Sequence, residues 1–407
     1  MKRKILQKIL NFFSKIILWR YKPIVIGVAG SVGKTSTKEA IFAVLKNKFL
    51  VGKNELNLNT EVGLAISIIG GKDAKRSVFL WLINFFYAFK KIIFFDRHYP
   101  KILVLEMSED APTAIKKVVR LAQPRIGVIT AIGKPPVHLE NYKNLDELKE
   151  EIGFLPQSLP ASGTAVLNAD DPDVLNFQEK ILASVITYGF GEKADMRITN
   201  YKLINSENLE KIGMTFRLEY KGSFVPVKLE GIFGKPQAYA LAAAACVGAV
   251  LNMNLVEIVE GMENYQIVKG RTKFIKGVKN SWLLDDSYNA SPDSVNAVLD
   301  LIKEIPTKRK IVVLGDMKEL GRASEEAHKK IGEKAAEVAD IFFGVGESMK
   351  LAKEAIRNKY PRKTVFWFEN NNEAKELLKE NIKEGDLVLI KGSRAMEMDR
   401  ITDFLKV

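Results

Sequence analysis

The sequence predicts an α/β protein with a mostly parallel central sheet, a small antiparallel portion and a second α/β domain behind it. Three observations carry this prediction. Runs such as "IVIGVA", "KILVLEM" and "RIGVITAIG" are continuously apolar and rich in β-branched residues, as strands covered on both faces are, and helical sequence separates them. Between about residues 198 and 229 the texture changes to "RITNYKLIN", "MTFRLEYKG" and "SFVPVKLEG", short runs divided by turn residues, which read as antiparallel strands. After the helix "AYALAAAACVGAVLNM" and the connection "YQIVKGR", buried-strand runs resume as "SWLLDDSYN", "KIVVLGDM", "IFFGVG", "TVFWFE" and "DLVLIKGS", again alternating with helices.

With 407 residues, 47% hydrophobic and 27% charged, the chain can build more than one proper core. Its one cysteine, Cys246, lies inside the Ala-rich helix, which excludes a disulfide framework and a Cys-based metal site and fits a reducing cytoplasm. The formal charge of +13 is concentrated: residues 1–100 hold 18 Lys/Arg against 5 Asp/Glu, and the remainder holds 44 of each. A local basic patch facing something anionic follows, not a nucleic-acid groove along the whole chain.

Residues 1–22 form the first candidate for that patch. Ile5, Leu6, Ile9, Leu10, Phe13, Ile16 and Ile17 recur at helical spacing, while Lys2, Arg3, Lys4, Lys8, Lys15, Arg20 and Lys22 supply only positive charge. The longest apolar run is too short to span a bilayer, and the segment lacks a signal-peptide pattern. A second stretch, "SVFLWLINFFYAFKKIIFF" at 77–95, is more apolar but interrupted by Asn84, Lys90 and Lys91. Two readings stand: core helices packed on each other, or an interfacial contact with an anionic membrane surface on its inner face.

The chemistry begins at "GVAGSVGKTSTKE", Gly27 to Glu39, between a predicted strand and a predicted helix. Backbone amides of such a loop point at phosphates, a helix N-terminus adds partial positive charge, Lys34 reaches the terminal phosphates and Thr35 offers a hydroxyl to Mg²⁺. The strict spelling wants glycine where Val28 stands.

The spelling G-S-V-G-K-T, together with "NLNTEVGLAISI", "VLEMSEDAPTAIKKV", "PRIGVITAIGKPPVHLENYKNLDELKEEI", "VLNADDP", "KGR", "DDSYNASPDSV", "VVLGDMKELG" and "LIKGSRAMEM" in this order, resembles the Mur ligases over residues 23–407. The resemblance implies a P-loop central domain at 23–268, with an apolar insertion at about 72–99, and a Rossmann-like C-terminal domain at 269–407. It implies an ADP-forming ligase: ATP phosphorylates a peptidyl carboxylate and an amine attacks the acyl phosphate. The expected product carries D-alanyl-D-alanine, or a related amino acid or dipeptide, on a cell-wall peptide precursor.

The same resemblance assigns residues. Gly30, Ser31, Gly33, Lys34, Thr35 and Ser36 would hold the triphosphate, with Thr35 and Glu106 on a first Mg²⁺ and His138 on a second. Lys149 would be carbamylated in support of that second metal, and Lys34, Glu106, His138 and Lys149 together would form the catalytic set. Arg271, Asp286 and Asn289 would approach the nucleotide from the C-terminal domain. Asp316, Glu319, Lys391, Ser393 and Arg394 match family motifs on the side of the amine and of domain closure.

Two departures are visible. Tyr239 stands where the family has an Asn that reaches adenine, so Tyr239 is expected to stack instead. Before Gly27 there are 26 residues, whereas the family's muropeptide ligases place a UDP-sugar-binding domain there. The acceptor is therefore expected to be held by a partner protein, by the 77–95 segment or at a membrane. These departures keep two alternatives open: a ligase with another acceptor, such as a different peptidyl polymer or a tetrapyrrole carboxylate, and a nucleotide-binding scaffold that no longer ligates.

Overall fold

In the computed structural model, every residue is described except 1, 56, 57 and 76; the side chains of Lys2, Arg3, Lys4 and Ile5 also lie outside the described set. The first nine strands are β1 (Ile24–Ala29), β2 (Val51–Lys53), β3 (Ile102–Glu106), β4 (Ile126–Ile129), β5 (Thr164–Asn168), β6 (Ser184–Gly189), β7 (Met196–Ile204), β8 (Gly213–Tyr220) and β9 (Ser223–Glu230). They form one sheet in the order β2-β3-β1-β4-β5-β6-β7-β8-β9. Pairing is parallel from β2 through to β7 and antiparallel across β7, β8 and β9. The antiparallel strands expected at 198–229 thus continue the parallel sheet, joined to it where Tyr188 and Gly189 pair with Met196 and Arg197.

Strand β1 shows why the run "IVIGVA" is apolar throughout. Ile26 and Val28 point into the core under the helices Lys34–Leu45 and Lys235–Val250, while Val25 and Ala29 point into the core on the other face. The Ala-rich sequence of Lys235–Val250 lets it lie close against Lys34–Leu45, and Cys246 is buried there. The opposite face is covered by Lys2–Tyr21, Glu61–Ile69, Ala114–Ala122 and Leu145–Gln157.

The second sheet contains β10 (Lys273–Gly277), β11 (Ser281–Asp286), β12 (Arg309–Gly315), β13 (Ile341–Val345), β14 (Thr364–Phe368) and β15 (Asp386–Lys391), in the order β10-β11-β15-β12-β13-β14. All neighbours are parallel except β10 and β11. Helices cover both faces, and the two apolar clusters alternate along β12, with Val312 and Leu314 on one side and Ile311 and Val313 on the other.

The two apolar N-terminal segments are both helical, at Lys2–Tyr21 and Val78–Ile93, and they pack on each other through an edge-on contact of Phe13 with Phe85. Leu10 and Ile17 are buried in the core, yet only Asn84 and Ala88 of Val78–Ile93 are. No helix among the described residues is long and apolar enough to cross a membrane.

Candidate active site

Strand β1 feeds the loop 30–33 at the carboxyl edge of the sheet, where open α/β sheets bind ligands. Gly30 has φ 127° and Gly33 has φ 87°, and a Cβ on Gly30 would lie 2.3 Å from Thr130 Oγ1. Only glycine satisfies both demands at position 30. Gly27 serves packing instead, since it lies in β1 and a Cβ there would meet Met107 Cε at 2.8 Å. Helix Lys34–Leu45 then starts without a side-chain cap, leaving its N-terminal amides for an anion.

The side chain of Lys34 folds back over the loop. Its Nζ donates to Gly30 O at 2.6 Å and to both oxygens of Glu109 at 2.7 and 2.8 Å. Glu109, fully buried, is a functional candidate that sequence reasoning passed over, although it stands three residues after Glu106 in the same motif. The next residue, Thr35, donates from Oγ1 to Glu106 Oε1 at 3.1 Å. Glu106 in turn lies 3.4 Å from the Nζ of Lys38, which is fully buried and also donates to Asn54 O. Asn54 Oδ1 accepts from the Glu106 amide at 2.8 Å, fixing the end of β3. Lys38 and Asn54 are further residues that the motifs did not announce.

Thr35 and Glu106 present hard oxygen donors side by side. Mg²⁺ takes one or two protein carboxylates and completes its shell with phosphate and water, so this pair fits it. Among the described residues no three His, Cys, Asp or Glu side chains converge as a metal cage.

His138 reaches the same region from a loop. Its Nδ1 lies 3.0 Å from Glu319 Oε2, joining the central domain to the C-terminal one. Burial draws the imidazole down, but the hydrogen bond it donates to Glu319 and the charge of Glu109 outweigh it and hold it above its ordinary value. The hydrogen bond from His138 keeps the Glu319 carboxyl below the usual range. A second contact between the domains runs from the Lys134 amide to Asp293 Oδ2 at 2.8 Å.

Two cavities meet at this seam. The smaller, about 130 Å³, is lined by Lys34, Thr35, Glu106 and His138 from one domain and by Arg271 and Asn289 from the other. The larger, about 360 Å³, runs from Gly33 and Ser36 past Asn168, Tyr188 and Tyr239 to Asp286. Arg271 lines both, its guanidinium over the Tyr288 ring at 4.5 Å. Ser31 Oγ and Arg271 Nε are buried without a hydrogen-bond partner among the described residues. Orphaned donors facing a phosphate-sized cavity beside a glycine loop are what a polyanionic ligand would satisfy.

This arrangement has a counterpart among known families. Residues 83–248 match the Mur ligase middle domain and residues 270–394 match the domain described as "Mur ligase, glutamate ligase domain". The chain belongs to the Mur ligase family. It is an ATP-dependent, ADP-forming peptide ligase by that membership. It is 27% identical to the UDP-N-acetylmuramoyl-tripeptide--D-alanyl-D-alanine ligase of Bacillus subtilis over 379 residues, 93% of this chain and 74% of that one. The enzyme of the same name from Escherichia coli is 28% identical over 406 residues, 97% of this chain and 80% of that one. Among solved structures, the MurF ligase from Thermotoga maritima in complex with ADP superposes with a TM-score of 0.80 at 25% identity, covering 98% of this chain and 83% of that one.

The remaining expected residues of this Mur ligase divide into two groups. Asp286 lines the larger cavity but is also tied down: its Oδ2 accepts from the buried Lys391 at 2.6 Å and its Oδ1 from the Thr272 amide at 3.0 Å. Burial lowers the Lys391 ammonium from its ordinary value, against the pull of Asp286. Asn289 accepts from the Arg394 amide. Tyr239, which lines the larger cavity, donates to Asp170 Oδ2 at 2.7 Å and meets Phe190 edge-on.

The second group lies off both cavities. Lys149 donates to Asp173 Oδ1 at 2.7 Å and lines neither cavity. Asp316 bonds Lys318 and the Met349 amide, and its carbonyl accepts from the Ser393 amide, so Asp316 and Ser393 bind loops of the C-terminal domain to each other. Arg394 pairs with Asp399.

Proposed function

We propose that this Mur ligase joins D-alanyl-D-alanine, or a closely related amine, to the terminal carboxylate of a cell-wall peptide precursor. The observation that carries the reading is the cavity at the seam, where a glycine loop with its lysine from one domain faces Arg271 and Asn289 of the other. Relatives that carry the dipeptide-adding name align over nearly the whole of this chain.

In this reading the chain divides at about residue 268. Gly30, Ser31, Gly33, Lys34, Thr35 and Ser36 cradle the triphosphate of ATP, whose nucleoside occupies the larger cavity beside Tyr239. For the γ-phosphate to be gripped, Lys34 exchanges Glu109 for phosphate oxygens. Thr35 and Glu106 would hold Mg²⁺ and His138 would serve a second ion; bound metal would neutralise charge on the transferring phosphoryl group. The acceptor carboxylate takes the γ-phosphoryl and releases ADP, the amine attacks the acyl carbon, and phosphate leaves as the amide forms. Arg271, Asp286 and Asn289 act from the C-terminal side, Arg271 by charge and Asp286 by holding Lys391. Lys149 takes up a carbamate only after leaving Asp173.

The basic first quarter faces an anionic membrane surface in this proposal. The test is release of ADP and phosphate measured with each substrate omitted in turn. Turnover that needs a peptide carboxylate and D-alanyl-D-alanine together supports the reading, and equal turnover without either contradicts it.

A further inference from the structure

The helix Val78–Ile93 is apolar on both sides: Trp81, Phe85, Ala88 and Ile92 pack inward on the core. Its inward side carries Asn84, which is buried and exchanges hydrogen bonds with both backbone groups of Lys72, while its outer side is aromatic. Phe79, Leu82, Phe86 and Phe89 are 70%, 62%, 66% and 57% exposed, and their spacing of three or four residues puts them on one face. A helix facing water ordinarily carries polar side chains on that outer face.

The neighbouring helix Lys2–Tyr21, packed on it through Phe13 and Phe85, exposes apolar side chains of its own. Phe12 and Trp19 are 61% and 74% exposed, and Lys8 and Lys15 stand exposed at helical spacing with them. At the far end Tyr21 stacks on Phe95 and donates to the carbonyls of Lys91 and Phe94, so the patch is a built surface and not a frayed end. Around it Lys72, Lys75, Lys90 and Arg97 are exposed, against one nearby ion pair, Lys91 with Asp96.

We infer that the outer aromatic face of Val78–Ile93, with Phe12 and Trp19 beside it, docks on the interfacial layer of an anionic phospholipid membrane. Charge decides between occupants. A second copy of this chain would bring the same cations against these ones, whereas an anionic headgroup layer complements them and accepts aromatic side chains below. Neither helix is long and apolar enough to cross, so the contact is interfacial. The surface also adjoins the phosphate cavity: Asn11 donates to Glu61 at the start of helix Glu61–Ile69, and Asn59, two residues earlier, lines that cavity. This deepens the membrane-facing part of the proposed function and is independent of which amine is ligated.

The test uses the full chain, sedimented with phosphatidylcholine vesicles with and without phosphatidylglycerol. Binding is expected only with the anionic lipid and should weaken on adding salt. The triple substitution Phe79→Ser, Phe86→Ser, Phe89→Ser should lower partitioning by at least about tenfold. Because these side chains are exposed, the thermal midpoint and ATP binding should be unchanged, which separates lost docking from lost folding. Equal sedimentation with both vesicle types, or no sedimentation from a soluble dimer that the triple variant disperses, would overturn the inference.

Discussion

The ammonium of Lys34 sits between the two carboxylate oxygens of Glu109, at 2.7 and 2.8 Å, and Glu109 has no exposed side-chain surface. Any anion that takes Lys34 must first break this charge-assisted pair. Glu109→Gln keeps the shape and removes the charge, and should tighten ATP binding by about fivefold, or about 1 kcal/mol. Lys34→Met should abolish binding of the triphosphate. Calorimetric titration of both variants with a non-hydrolysable ATP analogue checks the pair; weaker binding by Glu109→Gln would mean that the carboxylate itself helps hold the ligand.

Lys38 is fully buried. It stands 3.4 Å from Glu106 and donates to Asn54 O at 2.9 Å. Lys38→Met leaves Glu106 in place without its cation, and removing one member of a buried pair costs about 3–5 kcal/mol. Urea unfolding should show a loss of unfolding free energy of that size, restored in part by the double variant with Glu106→Gln.

Gly30 cannot be replaced cheaply. At φ 127° with a Cβ directed 2.3 Å from Thr130 Oγ1, Gly30→Ala should cost about 1–3 kcal/mol in backbone strain, and more where the clash is not relieved. Nucleotide binding should fall further than stability does, because Lys34 Nζ uses the Gly30 carbonyl. Parallel thermal melts and nucleotide titrations separate the two effects.

Asp293 predicts a pH dependence. Burial raises its carboxyl above the usual range, against the opposing Lys134 amide bond. A raised folded-state pKa means that the native state holds its proton longer than the unfolded chain. This contribution is present in acid, below the unfolded pKa, and is lost as pH rises through the folded one. Asp293→Asn should therefore remove a downward slope of stability across that window while keeping an acceptor for Lys134. Thermal midpoints of the two proteins measured through the acid range should converge at the lowest pH and separate above it.

The strands and the phosphate loop were legible because their signals are local. A β-branched run such as 24–29 is buried on both faces, and Gly30 and Gly33 are demanded by their own backbone angles. Glu109, Lys38 and Asn54 were not legible, since their meaning lies in partners across strands: Asn54 holds Glu106 from 52 residues away. The contact of His138 with Glu319 belongs to the docking of two domains and has no local trace. Lys149 illustrates the converse, a residue singled out by motif whose ammonium is turned to Asp173. For residues 78–93 apolarity was evident in the sequence, but composition does not tell which side of a helix faces the core.

The proposed function stands on ATP, bound at the seam, activating a peptide carboxylate for attack by D-alanyl-D-alanine. Mass spectrometry of the product formed from ATP, a peptide with a free terminal carboxylate and D-alanyl-D-alanine is the decisive measurement. An amide between the two is expected, formed in equal amount with ADP and phosphate and absent with Lys34→Met. ATP bound and hydrolysed at the same rate with no amide formed would contradict it.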